Sequence, residues 1–325
     1  MTGVVRVHEV GGPEVLRFED TDVGSPGPGQ ALIRQTAVGL NFIDVYFRSG
    51  LYPPPQLPFT PGLEGAGVVE AVGEGVSDLR EGQRVAYASP PIGAYAERRL
   101  MPADRLVALP DEISDEQAAA MMLKGMTAQY LLRRTFRVQP GQTILFHAAA
   151  GGVGSIACQW ASHLGATVIG TVGSEAKAEL ARAHGCAHVI RYDREDVAAR
   201  VREITGGKGV PVVYDSVGQA TFDASLDCLA PLGMLVSFGQ SSGKIPPVDL
   251  GIFSQKGSLY VTRPTLMTYT AARSDLLAAA NELFEVVTGG AVKIEINQRL
   301  PLRDAAEAHR ALEGRRTTGS TLLLP

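Results

Sequence analysis

The segment FHAAAGGVG at residues 146–154 decides how the second half of this chain folds. An apolar run at 143–146 precedes it and a helix-like stretch at 155–164 follows it. A strand, a glycine turn and a helix in this order let a dinucleotide pyrophosphate approach the N–H groups at the helix start, because small residues do not hold the anion away. The spacing Ala-x-Gly-x-x-Gly is a variant of the dinucleotide fingerprint, and it favours a nucleotide site over a plain strand–helix turn.

The bulk composition is that of an ordinary globular protein and limits its partners. The 325 residues are 45% hydrophobic and 20% charged, and this length suggests two domains. A formal net charge of -4 and an isoelectric point of about 5.9 do not attract nucleic acid or an acidic membrane surface. The 3 cysteines form no C-x-x-C pair, which excludes a cysteine-rich zinc site and favours reduced thiols. We expect a cytoplasmic protein, since the sequence shows neither a signal-peptide core nor an apolar run that could span a bilayer.

The first part of the chain has the pattern of an irregular β-rich domain. Pro-Gly and Glu-Gly turns separate short apolar runs, and we expect strands at 31–38, 67–72, 84–88 and 94–99. A helix is expected at 41–48, where Gly50 follows it.

The pattern changes at Ser114, where Ser-Asp-Glu-Gln predicts a capping box and a helix through about Leu132. Beyond Pro140-Gly141, strands are expected at 143–147, 167–172, 188–190, 210–214 and 234–238, and helices at 152–164, 175–184, 194–203 and 220–229. Strands that alternate with glycine-ended helices predict an α/β fold with a doubly wound parallel sheet. A helix at 271–288, a strand at 292–298 and a helix at 304–312 follow, and we expect this tail to return to the first domain.

The residues after the second expected strand favour NADPH over NADH. An NAD site usually has an acidic residue at this point, whereas this chain has Gly173 and Ser174, with Lys177 one helical turn further on. A hydroxyl and an ammonium would bind a 2′-phosphate that a carboxylate would repel. Glu175 complicates this interpretation, and the alternative is that Ser174 only caps a helix and Lys177 only faces solvent.

The segment PGLEGAGVV at residues 61–69 resembles the medium-chain dehydrogenase/reductase superfamily. Zinc alcohol dehydrogenases of that superfamily carry Gly-His-Glu here with the histidine on the metal, and this chain has Leu63 in its place. The stretch at 39–44, where the first zinc cysteine would fall, contains no cysteine, and the four-cysteine structural loop is missing as well. The chain is therefore expected to bind no zinc, and Glu64 is interpreted as structural.

Within the superfamily, the chain is most similar to the zinc-independent quinone oxidoreductases, the group that includes zeta-crystallin, over nearly its whole length. The matching strings are GLNFIDVY at 39–46, RSGLYP at 48–53, HAAAGGVG at 147–154, VYDSVG at 213–218 and VTRP at 261–264. The resemblance implies a GroES-like β domain at 1–123, completed by about 264–325, and a Rossmann NADPH-binding domain at 124–263.

The resemblance also implies the site residues. Four would line the cleft near the nicotinamide: Asn41, Asp44, Tyr46 and Tyr52. The residues implied or predicted to bind the cofactor are Asn41, Thr127, Ala149, Gly151, Gly152, Val153, Gly154, Gly173, Ser174, Lys177, Tyr192, Ser216, Phe238, Gln240 and Arg263. The alternatives are that the two tyrosines are half-buried packing residues and that Asp44 caps a turn. His147, at the end of a buried strand, is interpreted as a packed, hydrogen-bonded histidine in preference to an acid/base.

These observations favour an NADPH-dependent reductase of a quinone bound in the cleft between domains. Quinones are electron-poor and accept reducing equivalents without a Lewis acid, which agrees with the missing zinc ligands. Two alternatives remain: a reductase of α,β-unsaturated carbonyls, and an NADPH-binding structural or RNA-interacting protein, although the acidic isoelectric point argues against RNA. The apolar run at 258–262 predicts an edge strand that joins two copies as a homodimer.

Overall fold

The computed structural model describes residues 1–54 and 56–325 and divides into two compact units. The first unit comprises Met1–Met126, Thr270–Phe284 and Ile294–Pro325, and the second comprises Thr127–Tyr269 and Glu285–Lys293.

The strands are β1 Thr2–Val7, β2 Leu16–Thr21, β3 Gln30–Gly39, β4 Glu64–Val72, β5 Arg84–Ala88, β6 Arg98–Pro102, β7 Val107–Ala108, β8 Thr143–Phe146, β9 Thr167–Val172, β10 Cys186–Arg191, β11 Val210–Asp215, β12 Leu229–Ser237, β13 Tyr260–Thr262, β14 Ile296–Pro301 and β15 Ser320–Leu324. The helices are α1 Phe42–Arg48, α2 Asp115–Tyr130, α3 Gly152–His163, α4 Glu175–Ala183, α5 Val197–Ile204, α6 Phe222–Cys228, α7 Gly251–Gln255, α8 Leu266–Tyr269, α9 Arg273–Thr288 and α10 Ala305–Glu313. Within the described residues, every helix is too short or too polar to cross a membrane.

The first unit is built on a β hairpin, β1–β2, and a seven-stranded sheet in which β3 is central. The path of the sheet is β14-β15-β3-β4-β5-β7, and β6 also pairs with β3. Apolar and polar residues alternate at the start of β3, so Ala31 and Ile33 face a core that also contains Tyr87, Met101 and Leu323. The last strand of the chain, β15, pairs antiparallel with β3 and brings the C-terminal segment into this sheet.

The strand expected at 94–99 is displaced to Arg98–Pro102. Around Ala96 the chain forms only an isolated antiparallel bridge with Val4, and the carbonyl oxygens of Ala94 and Ala96 accept hydrogen bonds from the buried side-chain amide of Gln35. A side chain that captures two carbonyl groups in this way competes with sheet pairing, and the pattern of apolar residues did not reveal it.

The second unit contains the predicted parallel sheet, with six strands in the order β10-β9-β8-β11-β12-β13. Counted within the unit this order is 3-2-1-4-5-6, which is the Rossmann arrangement. The strand order reverses between β8 and β11, where Phe146 pairs with Tyr214. Ligands of open parallel sheets bind at the carboxyl ends of the strands near such a reversal. The site of the second unit is therefore expected after β8 and β11.

Local sequence signals explain where several helices begin and end. Ser114 and Gln117 form the predicted capping box, since Gln117 N donates to Ser114 Oγ and Ser114 N donates to Gln117 Oε1, both at 3.1 Å. Gly165 and Gly185 follow α3 and α4 with φ of 82° and 87°, a left-handed conformation that costs glycine little.

Candidate active site

The glycine turn after β8 leaves space for an anion against the backbone. Gly151 is the extended N-cap of α3, and its nitrogen donates to the carbonyl oxygen of Ala148 at 2.9 Å. A Cβ at Gly154 would lie 2.3 Å from that same oxygen, so only glycine allows the helix to pack so closely against the turn. The N–H groups of the first helical turn have no intrahelical acceptors, and they can bind a pyrophosphate. These residues fit a dinucleotide.

The end of β9 forms a second element of this site with the end of β10. A Cβ at Gly173 would lie 2.3 Å from the hydroxyl of Tyr192, so the tyrosine occupies the space that a side chain would take. Ser174 caps α4 by accepting a hydrogen bond from Lys177 N at 3.4 Å, and its hydroxyl hydrogen remains able to donate. The structure therefore brings Gly173, Ser174 and Tyr192 together, with Lys177 in the first turn of the helix that Ser174 caps.

Glu175, the acidic residue that complicated the cofactor prediction, is neutralised by two arginines. Arg191 donates to Glu175 at 2.9 Å and Arg182 donates at 3.3 Å. The hydrogen bonds from Arg191 and then Arg182 hold the pKa of this exposed carboxyl below its usual range. Because the carboxylate already has two cationic partners, it repels an incoming phosphate less than an isolated carboxylate would.

Apart from Thr127 on α2, the remaining residues that were assigned to the cofactor in this unit follow β11, β12 and β13. A Cβ at Gly239 would lie 2.5 Å from the carbonyl oxygen of Ser216, so the loops that contain Ser216 and Phe238 are in close contact. A Cβ at Gly218 would lie 2.9 Å from Cα of Gln240. Arg263 donates to the carbonyl oxygens of Ser237 and Gly239, both at 2.9 Å, so its guanidinium also stabilises the loop after β12.

His147 is buried and hydrogen-bonded, as the packed interpretation predicted. Its Nδ1 lies 2.9 Å from the hydroxyl of Thr171, and its Nε2 lies 3.1 Å from the hydroxyl of Ser225. Ser225 donates to the carboxylate of Asp215 at 3.0 Å, and that carboxylate also accepts the backbone N–H of Val217 at 2.7 Å. Burial lowers the pKa of His147, which keeps the ring neutral. The network fixes the loop that begins with Ser216.

In the first unit, Asn41 belongs to a buried polar cluster centred on Glu64. The Asn41 side-chain nitrogen donates to Glu64 Oε2 at 2.7 Å and to the carbonyl oxygen of Gly39 at 3.4 Å. Lys124 Nζ lies 3.1 Å from the same carboxylate oxygen, and Leu123 N donates to Glu64 Oε1 at 2.7 Å. Glu64 is therefore a fully engaged buried carboxylate that orients Asn41. Both amide hydrogens of Asn41 are used inside the chain.

Asp44 begins a second buried chain of hydrogen bonds. Its Oδ2 accepts the N–H of Asn41 at 2.9 Å, which is part of the capping box at the start of α1. The same oxygen accepts the hydroxyl of Tyr95 at 3.1 Å, and that hydroxyl lies 2.9 Å from Nε2 of His309. Nδ1 of His309 lies 3.2 Å from Arg48, which donates to both carboxylate oxygens of Glu313 at 2.7 and 2.8 Å.

The rings of Tyr46 and Tyr52 are in contact, with centroids 5.1 Å apart. The N–H of Tyr52 donates to the carbonyl oxygen of Tyr46 at 3.0 Å, so the segment after α1 folds back on the helix. Phe42 and Phe47 contact this pair at centroid distances of 5.9 and 5.8 Å. Aromatic packing thus fixes both rings, and it does not exclude a role for their hydroxyl groups.

The structure groups the predicted residues in a way that the sequence explains only in part. The cofactor residues of the second unit follow the carboxyl ends of all six parallel strands, except Thr127, which is buried on α2. Sequence reasoning missed Lys124, Tyr95 and His309. Lys124 could have been noticed, because it is the single charge in the apolar stretch at 118–126. Tyr95 and His309 gave no such signal.

No cluster of three or more histidine, cysteine or carboxylate side chains that could hold a metal ion occurs in the described part of the chain. Leu63, at the position of the zinc histidine in related dehydrogenases, is buried.

Comparison with known proteins agrees with this architecture. Residues 27–111 match the alcohol dehydrogenase GroES-like domain, and residues 152–285 match the zinc-binding dehydrogenase family. The chain is 59% identical to a quinone oxidoreductase of Pseudomonas aeruginosa, over 97% of each chain. It is 49% identical to a 2-haloacrylate reductase of a Burkholderia species, over 98% of each chain. The crystal structure of Escherichia coli quinone oxidoreductase complexed with NADPH superposes with a TM-score of 0.98 at 51% identity, covering 99% of this chain and 100% of that one.

A GroES-like β unit and a Rossmann unit together define the class of medium-chain dehydrogenases and reductases. The chain belongs to the quinone oxidoreductase family of that superfamily.

Proposed function

We propose that this protein is an NADPH-dependent quinone reductase that works without zinc. The observation that carries the proposal is the placement of the predicted cofactor residues at the carboxyl ends of the six parallel strands of the second unit. The similarity to the NADPH complex of the Escherichia coli enzyme supports the same cofactor. Zinc independence is supported by Leu63, which offers no metal-binding atom where related dehydrogenases have a histidine.

Each cofactor residue has a role that follows from its chemistry. When bound, NADPH would supply a hydride, which carries the two electrons that reduce the quinone, and a proton from water would complete the hydroquinone. The N–H groups of Gly152, Val153 and Gly154 would bind the pyrophosphate at the start of α3. Ser174 and Lys177 would hold the 2′-phosphate, with Tyr192 packed beside it against Gly173.

In the first unit we propose Tyr46 and Tyr52 as the groups that orient the acceptor through their hydroxyls, since packing holds the two rings together. Asn41, whose amide hydrogens are used inside the chain, and Asp44 would line the acceptor site beside the two tyrosines. These residues lie on α1 and the segment that folds back on it.

The test is a steady-state assay of NADPH oxidation by a small benzoquinone, with and without a zinc chelator. We expect equal rates in both conditions, and a loss of activity on chelation would contradict zinc independence. In Lys177→Ala the KM for NADPH should rise about 10-fold or more, because a charged hydrogen bond is worth roughly 1.5–3 kcal/mol. The KM for NADH should stay constant. Lys208→Ala, which removes an exposed lysine of the same unit, is the matched control.

A second candidate is a reductase of α,β-unsaturated carbonyl compounds. The 49% identity to a 2-haloacrylate reductase favours it, because that name describes a substrate with a carbon–carbon double bond beside a carboxylate. The two functions are distinguished by kcat/KM for a benzoquinone and for a small enone measured with the same preparation. A higher value for the enone would replace the first proposal by the second.

We also propose a cytoplasmic homodimer. The three cysteines, Cys158, Cys186 and Cys228, are buried and free, which suits a reducing compartment. Strand β13 lies at the edge of the six-stranded sheet, and Tyr260 and Val261 are 58% and 40% exposed there. An exposed apolar edge of this kind favours pairing with a second copy.

A further inference from the structure

A chain of hydrogen bonds runs from Arg48 through His309 and Tyr95 to Asp44, and only one assignment of donors and acceptors is consistent along it. A guanidinium donates and cannot accept, so Nδ1 of His309 must be the acceptor of the Arg48 contact. The neutral ring then carries its proton on Nε2 and donates to the hydroxyl oxygen of Tyr95. The hydroxyl hydrogen of Tyr95 consequently points to Oδ2 of Asp44.

With these donors and acceptors, the two carboxyl oxygens of Asp44 differ in their hydrogen-bond partners. Oδ2 accepts hydrogen bonds from Tyr95 and from the backbone N–H of Asn41. Oδ1 is buried and has no hydrogen-bond partner in the described part of the chain. A negative charge shared with Oδ1 would lack any compensating donor, whereas a proton on Oδ1 removes that charge and leaves both contacts of Oδ2 in place.

We propose that the buried Asp44 is a neutral carboxylic acid, that Tyr95 and His309 are positioning residues that direct its proton to Oδ1 by keeping Oδ2 occupied as an acceptor, and that this neutral form supports reduction of the acceptor. The last part of the proposal rests on the proposed function. Reduction adds the negative charge of a hydride to the acceptor, and a buried carboxylate on α1, which also carries Tyr46, would oppose that charge.

The charged groups around Asp44 are consistent with a neutral state. Glu64 on β4 and Lys124 on α2 neutralise each other at 3.1 Å, and Arg48 of α1 is paired with Glu313 of α10. Desolvation by burial raises the pKa of Asp44 to about 7, although the contacts with Asn41 and Tyr95 and the charge of Lys124 act in the opposite direction. Burial, with the nearby Arg48, lowers the pKa of His309 to about 3, so its ring is neutral at the same pH. Burial also holds the pKa of Tyr95 well above its usual range.

The pH profile of kcat with NADPH and a benzoquinone tests the positioning role. The wild-type kcat should fall as the pH rises through about 7, where Asp44 ionises. Tyr95→Phe removes a hydrogen-bond donor that favours ionised Asp44, so this fall in kcat, the alkaline limb of the profile, should move to higher pH by about one unit. Asp44→Asn, neutral at every pH, should lose the limb. Tyr87→Phe is the matched control, because Tyr87 is equally buried in the same unit but donates to Gln35.

Infrared difference spectra give a readout that does not depend on turnover. The carbonyl band of a protonated carboxylic acid should be present in the wild type at pH 6, absent in Asp44→Asn, and retained to higher pH in Tyr95→Phe. A wild-type protein without this band, or a Tyr95→Phe variant with the wild-type band titration and pH limb, would overturn the proposal. Failure of the wild type to reduce any quinone would instead overturn the proposed function and the catalytic part of this inference, and the band would still decide whether Asp44 holds its proton.

Discussion

Single residues in this chain take their roles from partners that are distant in sequence. Glu64 was interpreted as a structural carboxylate because its neighbour is Leu63 and no zinc ligand is nearby. The structure gives it three donors, from Asn41, Leu123 and Lys124, and so makes it the group that orients Asn41. A carboxylate with this many donors is satisfied without a metal ion.

Gly154 provides a test of the glycine turn at the level of one residue. In Gly154→Ala the new methyl group would lie 2.3 Å from the carbonyl oxygen of Ala148 and 2.8 Å from backbone atoms of Ala149. Backbone atoms cannot move aside as a flexible side chain can, so the turn must shift at a cost of roughly 1–3 kcal/mol. We expect the Kd for NADPH, measured by fluorescence titration, to rise about 10-fold or more.

Gly27→Ala is the control for that substitution, since a Cβ there meets only the flexible side chain of Gln30, at 3.3 Å. Wild-type affinity for NADPH in Gly154→Ala would show that the turn does not hold the pyrophosphate.

The site residues that sequence reasoning found are those whose signal is local. The glycine turn and the Gly173-Ser174 pair with Lys177 can be recognised because a few residues at fixed spacing determine their backbone geometry. Tyr95 and His309 are 214 positions apart, and their contact depends on how the C-terminal segment returns to the first unit. A single sequence contains no periodicity that records such a pair.

At the scale of elements, the sheet of the second unit was the most predictable part. Its strands are apolar runs bounded by glycines, and β9 has the expected bounds of 167–172. β12 begins at Leu229, five positions before the expected 234, because the segment around Gly233 continues the strand after a register shift against β11. A glycine in an apolar run can mark an irregularity within a strand as well as its end.

The edge strand β13 is shorter than the expected 258–262. Ser258 has a φ of 57° and Leu259 is buried, so only Tyr260–Thr262 pairs with β12. In the described part of the chain β13 is still the last strand of the sheet, and it carries two exposed apolar side chains.

Tyr260→Lys tests the proposed dimer at this edge. A charged side chain on an edge strand disfavours pairing with another strand, so the variant should be a monomer at concentrations where the wild type is a dimer. Light scattering coupled to size exclusion measures the mass directly. Val10→Lys, which adds the same charge at a 44% exposed position of the first unit, should leave the dimer intact. A wild-type protein that shows only the monomer mass, or a Tyr260→Lys variant that remains dimeric, would contradict the assignment.

At the scale of the whole molecule, the stability of the first unit depends on the protonation of two buried groups, Asp44 and His309. Their pKa values are shifted in opposite directions. Asp44 has a pKa raised to about 7, so it stabilises the fold below its unfolded pKa and loses that contribution as the pH rises through about 7. His309 has a pKa lowered to about 3, so its contribution is present above about 6.5 and is lost as the pH falls toward 3. Between the ordinary pKa values of 3.8 for Asp and 6.5 for His, the folded state carries a proton on Asp44 and the unfolded state carries one on the histidine. The number of bound protons is then equal in the two states, so the pH dependences of the two contributions cancel.

Removing either group should expose the contribution of the other. Between about pH 4.5 and 6, relative to the wild type, Asp44→Asn should become more stable as the pH rises, and His309→Gln should become less stable, each by up to roughly 1.4 kcal/mol per pH unit. Hydrogen exchange of peptides that cover β3 and β4 measures the free energy of unfolding within the first unit. His188→Gln, an exposed histidine of the second unit, should follow the wild type. If the free energy of unfolding of Asp44→Asn and of His309→Gln both change with pH in parallel with the wild type, the folded protein does not contain a protonated Asp44 and a neutral His309.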